Sequence, residues 1–320
     1  MTTSFHRGLL AAVAATAIAV SATACTDSDS DPASDTLTVG FVVDPSWAQI
    51  PVAADTGLFD DQDLEVEVIN FSSGVEALQA VAAGQIDITT AADVPTSAAL
   101  VRNPALRVVG DGSRWEGSKI VARQDTGINT IADLAGKSVG TPLGTSAAYY
   151  ISNALATENI EAELVQVAPS AIVTAISQSN VEAVAIFQPY QAQAIEALGP
   201  DAVELTGGTY SQHSLYLSTE SAISTKAEAL QKFFSAIDEA GTSLANKDED
   251  AVNAVAMATQ LDANLVRTIL EEFDFTLQLT PDLATKLDEL AEWAQSEGNI
   301  ESGALLPDYA TFLDTQFVSS

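Results

Sequence analysis

The sequence predicts an α/β protein of two similar lobes followed by a helical extension, and three observations lead there. Short β-rich runs alternate with helical stretches through residues 37–205, the pattern of βα units around a largely parallel sheet. The alternation starts afresh near Lys119, so one set of elements is followed by a second of the same kind. Beyond Ser214 the chain changes character and reads as almost entirely helical. A length of 320 residues fits this division, because chains of this size split into more than one compact unit.

Residues 37–43 (LTVGFVV) are an apolar β-rich run and the first strand; 47–56 is a helix that ends at Gly57. Residues 64–71 (LEVEVINF) alternate apolar and acidic positions, as a strand with one wetter face does. Ser72-Ser73-Gly74 opens a helix through Ala83, Gly84 closes it, and 86–90 is the next strand. Asp93-Val94-Pro95 begins a short helix, and 106–110 is the last strand of the first set. In the second set the strands are 119–123, 138–141, 163–167, 182–187 and 202–205, with helices at 131–134, 145–157, 170–177 and 190–198 between them. Residues 77–87 and 172–182 share one layout: a short amphipathic helix, a small turn, then a β-branched residue and an acid. Each runs on into a strand that ends near a proline, Pro95 or Pro189, and two similar lobes are the simplest account.

After a strand at 215–218, helices are expected at 227–244, 250–259, 262–272 and 281–297. Phe233, Phe234, Ile237 and Leu244 recur at the spacing of a core-facing stripe. A helical tail needs a surface on which to bury such stripes, most simply that of the first lobe. The first lobe is then discontinuous, residues 37–118 and 214–320, with 119–213 as the second; crossovers near 114–123 and 207–214 form a hinge.

Charge and cysteine content narrow the function. There are 12 Lys and Arg against 44 Asp and Glu, a formal charge of −32, with 47% hydrophobic residues. Such a chain folds, yet it lacks the clustered cations that nucleic acid or an anionic membrane surface requires. One cysteine makes no internal disulfide, four-thiolate zinc site or iron–sulfur cluster. That cysteine, Cys25, follows a basic start (His6, Arg7), an apolar run at 8–20 and the small-residue stretch Ser21-Ala22-Thr23-Ala24. The arrangement is that of a secretory signal over residues 1–24, and the Asp- and Ser-rich residues 25–36 read as a tether. It resembles the cleavage-and-lipidation box of bacterial lipoproteins, with Ala22 where that box usually has Leu. The resemblance implies an export signal, a lipid on Cys25, and attachment at the outer face of the cytoplasmic membrane.

The catalytic inventory is thin. Of two histidines, His6 lies in the signal, and His213 alone makes no multi-histidine metal site. No G-x-S-x-G elbow, G-x-G-x-x-G fingerprint or phosphate-loop lysine motif occurs. No cofactor, no metal and no catalytic residue is expected. A different constellation stands out. Pro142-Leu143-Gly144-Thr145-Ser146 lies between a strand and a helix, where free N–H groups and two hydroxyls can hold an anion or polar group. An ordinary N-cap at Thr145 is the plain alternative. Ser72-Ser73-Gly74 repeats the layout in the first set, and Asp93-Val94-Pro95 follows the next strand, so two such edges facing each other would form a ligand crevice.

Three ordered segments carry a family resemblance: 53–64 (AADTGLFDDQDL), 131–150 (IADLAGKSVGTPLGTSAAYY) and 181–190 (VEAVAIFQPY). The chain resembles the substrate-binding proteins of bacterial ABC importers, in the branch that serves nitrate, sulfonates, taurine and pyrimidine-type vitamin precursors. The resemblance implies a two-lobed type II periplasmic-binding-protein fold that closes on one small molecule and docks, as a monomer, on a membrane permease. By position, it assigns ligand contacts to Asp44, Ser46, Trp47, Ser72, Ser73, Gly74, Ala92 and Asp93 in the first lobe. From the second it assigns Gly144, Thr145, Ser146, Ala147 and Gln188 beside Pro189, with Trp115 and His213 near the crossovers as further candidates. Family members often carry an acid where Gln188 stands. Asp44 and Asp93 oppose a simple anion and suit an amine-bearing one, so a taurine-like zwitterion or an aminopyrimidine is expected rather than nitrate. A pyrimidine-precursor synthase on the same fold, or a signalling receptor, are the competing classes.

Overall fold

Strand β1 (Thr36–Val42) shows how the sequence builds its first layer: Leu37, Val39 and Phe41 alternate onto one face and are buried. In this computed structural model residues 35–318 are described; the expected signal, Cys25 and nearly all of the tether lie outside the described residues. The other strands are β2 (Glu65–Phe71), β3 (Ile88–Ala92), β4 (Leu106–Trp115), β5 (Ile120–Arg123), β6 (Ser138–Thr141), β7 (Glu163–Gln166), β8 (Ala183–Ala185), β9 (Ala202–Leu205), β10 (Gln212–Thr219) and β11 (Phe273–Asp274).

They form two sheets, in the orders β11-β4-β10-β3-β1-β2 and β7-β6-β8-β5-β9. Each sheet has a parallel trio, β2-β1-β3 in one and β7-β6-β8 in the other, followed by an antiparallel strand, β10 or β5. The antiparallel strand is in each case the first one after a crossover between the sheets. The two segments that share a sequence layout occupy equivalent places: helix Gly74–Ala82 leads to β3, and helix Ile172–Ser177 leads to β8, the third strand of each trio.

The first sheet is covered on both faces, and period-two alternation assigns its residues. In β10, Tyr216 points into a core with Phe233, Phe234 and Ile237 of helix Ala227–Asn246, while Leu215 and Leu217 point into a core with Leu287 and Ala291 of helix Asp282–Ser296. The helical extension therefore packs on the first sheet, closing both faces. In the second sheet Ile120 and Ala122 face one core and Val121 the other.

Two expectations change. Strand β4 runs five residues beyond the predicted end at Gly110, because β10 and β11 pair with it as far as Trp115. The extension is not purely helical: Phe273–Asp274 joins β4, and Asp111 bridges Gln278. Among the described residues no helix is long and apolar enough to cross a membrane.

Candidate functional site

The loops that leave the C-terminal ends of the parallel strands meet between the two sheets, the usual place for a ligand crevice in such folds. The first sheet brings Val42 and Asp44 after β1, Trp47, Gly74 after β2, Ala92 at the end of β3, Pro95, and Gln212 at the start of β10; the second brings Thr145 and Ser146 after β6 and Phe187 after β8. They enclose a cavity of about 20 Å³, room for about one water-sized sphere. Larger grooves at Asp238 to Thr276 and at Asp35 to Val66 are shallow surface features fringed by carboxylates, each lined by one side of the molecule alone.

Asp44 is the one charged side chain lining this cavity. It is 2% exposed, caps the short helix Pro45–Trp47, and its Oδ1 accepts from the Ser46 N–H at 2.8 Å. Burial pushes its carboxyl up from 3.8 to about 7, against the lowering effect of the hydrogen bonds from Ser46. Gln212 stands beside it: its Nε2 donates to Ser46 Oγ at 3.1 Å, and its Oε1 is buried without a partner among the described residues. The Trp47 indole is fixed by donating to the Leu215 carbonyl at 3.2 Å, so its ring is a rigid wall. Gly74 allows close approach; a Cβ there would come within 3.1 Å of the Ala91 backbone.

The opposite wall is the start of helix Ser146–Thr157. Tyr149 N–H is the first to bond back, to the Thr145 carbonyl at 3.1 Å, so the N–H groups of the preceding turn have no carbonyl within the helix. The Thr145 hydroxyl does not cap them: it donates to the Pro142 carbonyl at 2.7 Å, which braces the loop and leaves the helix end open. Gly144 makes the turn at φ +75°, a left-handed conformation that glycine adopts freely.

Of the residues expected from sequence, Asp44, Trp47, Gly74, Ala92, Thr145 and Ser146 line the cavity. The others lie elsewhere, for identifiable reasons. Ser46 is buried behind the wall, accepting from Gln212. Ser72 donates to Glu76 and Ser73 caps helix Gly74–Ala82, so both hydroxyls serve that helix. Asp93 turns away from the cavity, holding the hydroxyl of Tyr210 and the N–H groups of Val94 and His213. Burial raises its carboxyl above the ordinary value, and His213 and Tyr210 offset this in part. His213 pairs through Nδ1 with Asp111 at 2.8 Å; burial disfavours its charge, but the Asp111 partner outweighs that and raises it. Trp115 stacks on Phe273 with centroids 5.7 Å apart and donates to Glu272 at 3.1 Å. Gly144 borders a neighbouring cleft, Ala147 sits in the core under the second sheet, and Gln188 accepts from the Ala192 N–H at 3.2 Å. Val42, Pro95, Phe187 and Gln212 line the cavity without having been expected there.

Two sheets of this topology, joined by two crossovers and enclosing a cavity between their strand ends, define the class: a two-lobed α/β binding-protein fold of type II. More particularly, the chain belongs to the NMT1/THI5-like family, which it matches over residues 44–251. It is 26% identical over 237 residues to a candidate binding protein of Brucella abortus (strain 2308), spanning 71% of this chain and 73% of that one. It is 23% identical over 211 residues to a candidate aliphatic sulfonates-binding protein of Escherichia coli K12, spanning 65% and 66%. Its fold superposes on the alkanesulfonate-binding protein of Xanthomonas axonopodis pv. citri bound to MOPS, with a TM-score of 0.75 at 18% identity over 88% and 98% of the chains. A desulfurization enzyme shares the fold at a TM-score of 0.65, 14% identity, and 88% and 97% coverage. Among the described residues no group of three or more His, Cys, Asp or Glu is placed to hold a metal.

Proposed function

We propose that this protein is the extracytoplasmic solute-binding component of an ABC importer, and that it captures a small zwitterionic organosulfonate of the taurine type. The observation that carries the reading is the placement of the few polar groups on opposite walls of a largely apolar cavity. One wall offers acceptors, the Asp44 carboxylate and Gln212 Oε1; the other offers the open N-terminus of helix Ser146–Thr157 with the Ser146 hydroxyl. An ammonium group suits the first and a sulfonate the second. No basic side chain lines the cavity, so a bare anion such as nitrate would face Asp44 with no cation to offset it. The sulfonate-binding relatives agree with this choice.

The reading has a mechanism. A cavity of about 20 Å³ does not admit an aminosulfonate unless the walls part, so residues 37–118 with 214–320 and residues 119–213 act as two lobes that hinge at the crossovers. Ligand bridging both walls favours the closed form, which a membrane permease then recognises. The protein acts by binding alone, as a monomer, without cofactor or catalysis. Cys25 serves as its lipid anchor at the outer face of the cytoplasmic membrane, on the strength of the sequence around it; a Cys25→Ser chain should then leave the detergent phase and become water-soluble. An aminopyrimidine is the second reading, since Asp44 and Gln212 accept from an amidine-like edge and Trp47 and Phe187 offer flat walls.

Isothermal titration of the domain from residue 26 onward, with taurine, ethanesulfonate, nitrate and a 4-aminopyrimidine, tests this. Taurine should bind more tightly than ethanesulfonate and nitrate. Tight binding of nitrate with no response to the organic compounds overturns the proposal, and turnover of any of them would make the protein an enzyme.

A further inference from the structure

Helix Asp282–Ser296 carries two inward stripes, and they serve different lobes. Leu283, Leu287, Ala291 and Ala294 recur at helical spacing and lie in a core under the first sheet. Lys286, Leu290 and Trp293 recur at the same spacing on a neighbouring stripe. Leu290 is buried in the core that holds Tyr150, Ile151 and Ala154 of the second lobe. The Trp293 ring meets that of Tyr149 edge-on, with centroids 5.2 Å apart. Lys286 Nζ lies over two second-lobe rings, 5.8 Å from the centroid of Tyr149 and 5.6 Å from that of Tyr210. Every other lysine of the described residues holds a carboxylate at 2.6–2.9 Å. Lys286, in a chain with 44 acids, faces aromatic rings instead.

We propose that this helix is an interlobe clasp, in which Lys286 and Trp293 hold Tyr149 and Tyr210 and keep the closed form populated before a solute arrives. The inference rests on the two-lobe hinge of the proposed function, and not on the identity of the solute. Neither Lys286 nor Trp293 lines the cavity, so both are positioning residues that alter affinity through closure. Tyr149 sits one turn along helix Ser146–Thr157, whose start is the second-lobe wall. A hinge motion that draws Ser146 away from Asp44 therefore carries the Tyr149 ring with it and leaves Trp293 and Lys286 behind on the first lobe. The segment after the clasp helix bears on the same wall: a Cβ on Gly144 would come within 3.1 Å of Asn299 Oδ1, and Arg102 Nη1 fixes the Asn299 carbonyl at 2.9 Å. Tyr210 adds charge to the arrangement. Its hydroxyl donates to the buried Asp93 carboxylate, which in turn attracts the Lys286 ammonium lying over the ring.

Pulsed electron paramagnetic resonance tests the clasp with no ligand present. The chain from residue 26 onward has no native cysteine, so nitroxides on cysteines placed at the exposed Gln79 and Ser170, one in each lobe, report the lobe spacing. This labelled chain should give two distances, with the shorter one well populated. Lys286→Met keeps the apolar stem and removes the charge. It should lower the ratio of the shorter to the longer population about tenfold, the loss of two cation–π contacts. Lys286→Arg should restore the ratio, because a guanidinium keeps the charge over the rings. A ratio that Lys286→Met leaves unchanged, or that Lys286→Arg does not restore, overturns the clasp and leaves the solute-binding reading standing. So does a chain that shows only the longer distance until taurine is added. A single distance in every variant, with and without saturating taurine, overturns the two-lobe hinge, and this inference with it.

Discussion

Asp44→Asn is the substitution with the most to say, because Asp44 is buried, titrates near neutrality and is the cavity's one charge. Moving a carboxyl from 3.8 to about 7 corresponds to an upper limit of about 4 kcal/mol between its two protonation states. The sign is fixed by who holds the proton. Between pH 3.8 and about 7 the unfolded chain has lost it and the folded chain keeps it, so stability falls as pH rises through that window and levels off above it. The Asn variant lacks this penalty: it should unfold later than the parent above pH 7 and converge with it near pH 4. Binding runs the other way. With a carboxyl near 7, about 1% of the protein carries the carboxylate at pH 5 and about 90% at pH 8, so taurine should bind about 100-fold more tightly at the higher pH. Ethanesulfonate, with no ammonium, should weaken over the same range. Titration calorimetry at half-unit steps, alongside denaturant melts of both chains, measures the two effects on one sample. A taurine affinity that is flat from pH 5 to 8, or unchanged in the Asn variant, refutes the assignment of Asp44 to the ligand's ammonium.

The remaining predictions concern the supports of that site. Gln212→Leu removes the unpartnered acceptor and should weaken taurine about tenfold or more, the loss expected for a hydrogen bond to a charged group; calorimetry decides it, and a change under twofold would put Gln212 outside the site. Asp111→Ala should cost about 1–3 kcal/mol in a urea melt, because His213 at 2.8 Å and the nearly buried Arg114 at 3.4 Å lose their common partner, while Arg114 keeps Asp274 at 2.9 Å. Tyr149→Ala removes edge contacts to Tyr210 at 5.0 Å and Trp293 at 5.2 Å. Tyr210 belongs to the same lobe as Tyr149, so of these two only the Trp293 contact crosses between lobes. At about 1 kcal/mol its loss should shift the lobes toward the open form, seen as a larger radius in small-angle scattering and about fivefold weaker taurine binding.

What the sequence reveals of this site is what βα loops always reveal. Gly74, Thr145 and Ser146 are turn and cap residues at strand ends, and a period-two run followed by such residues locates them. Which way a side chain turns once there is a tertiary matter. Asp93 follows its strand as expected, yet Tyr210, from the other crossover, takes its carboxylate and leaves the cavity with one acid in place of two. Trp115 is drawn from the site by Phe273, and Phe273 belongs to a two-residue strand, too short to show any periodicity. Gln212 escaped notice for a related reason. It opens a strand after the return crossover, far along the chain from Asp44 and Trp47, and nothing local sets it apart from other strand glutamines. The duplicated helix–turn–strand layout was legible because it is local in each lobe, and the two sheets repeat it in register with their shared strand order.

The division of polarity between the lobes also bears on why binding should close the protein. A ligand with one polar end would satisfy Asp44 and Gln212 or the helix end at Ser146, and leave the other wall with desolvated groups and no partner. Unpaired buried acceptors and N–H groups each cost about 1–3 kcal/mol, so such a ligand would bind one lobe and gain nothing by closure. A bipolar ligand is different, since each end removes a penalty that closure would otherwise impose. The net charge of −32 plays no part in this choice. Charge outside the cavity is screened beyond about 10 Å at ordinary ionic strength, whereas the cavity holds one titratable group whose burial already makes it reluctant to ionise. That reluctance is itself a filter. A carboxyl poised near 7 is about half ionised at neutral pH, and a cation that arrives to share the enclosure draws the rest into the charged form, so ammonium recognition and lobe closure draw on the same event.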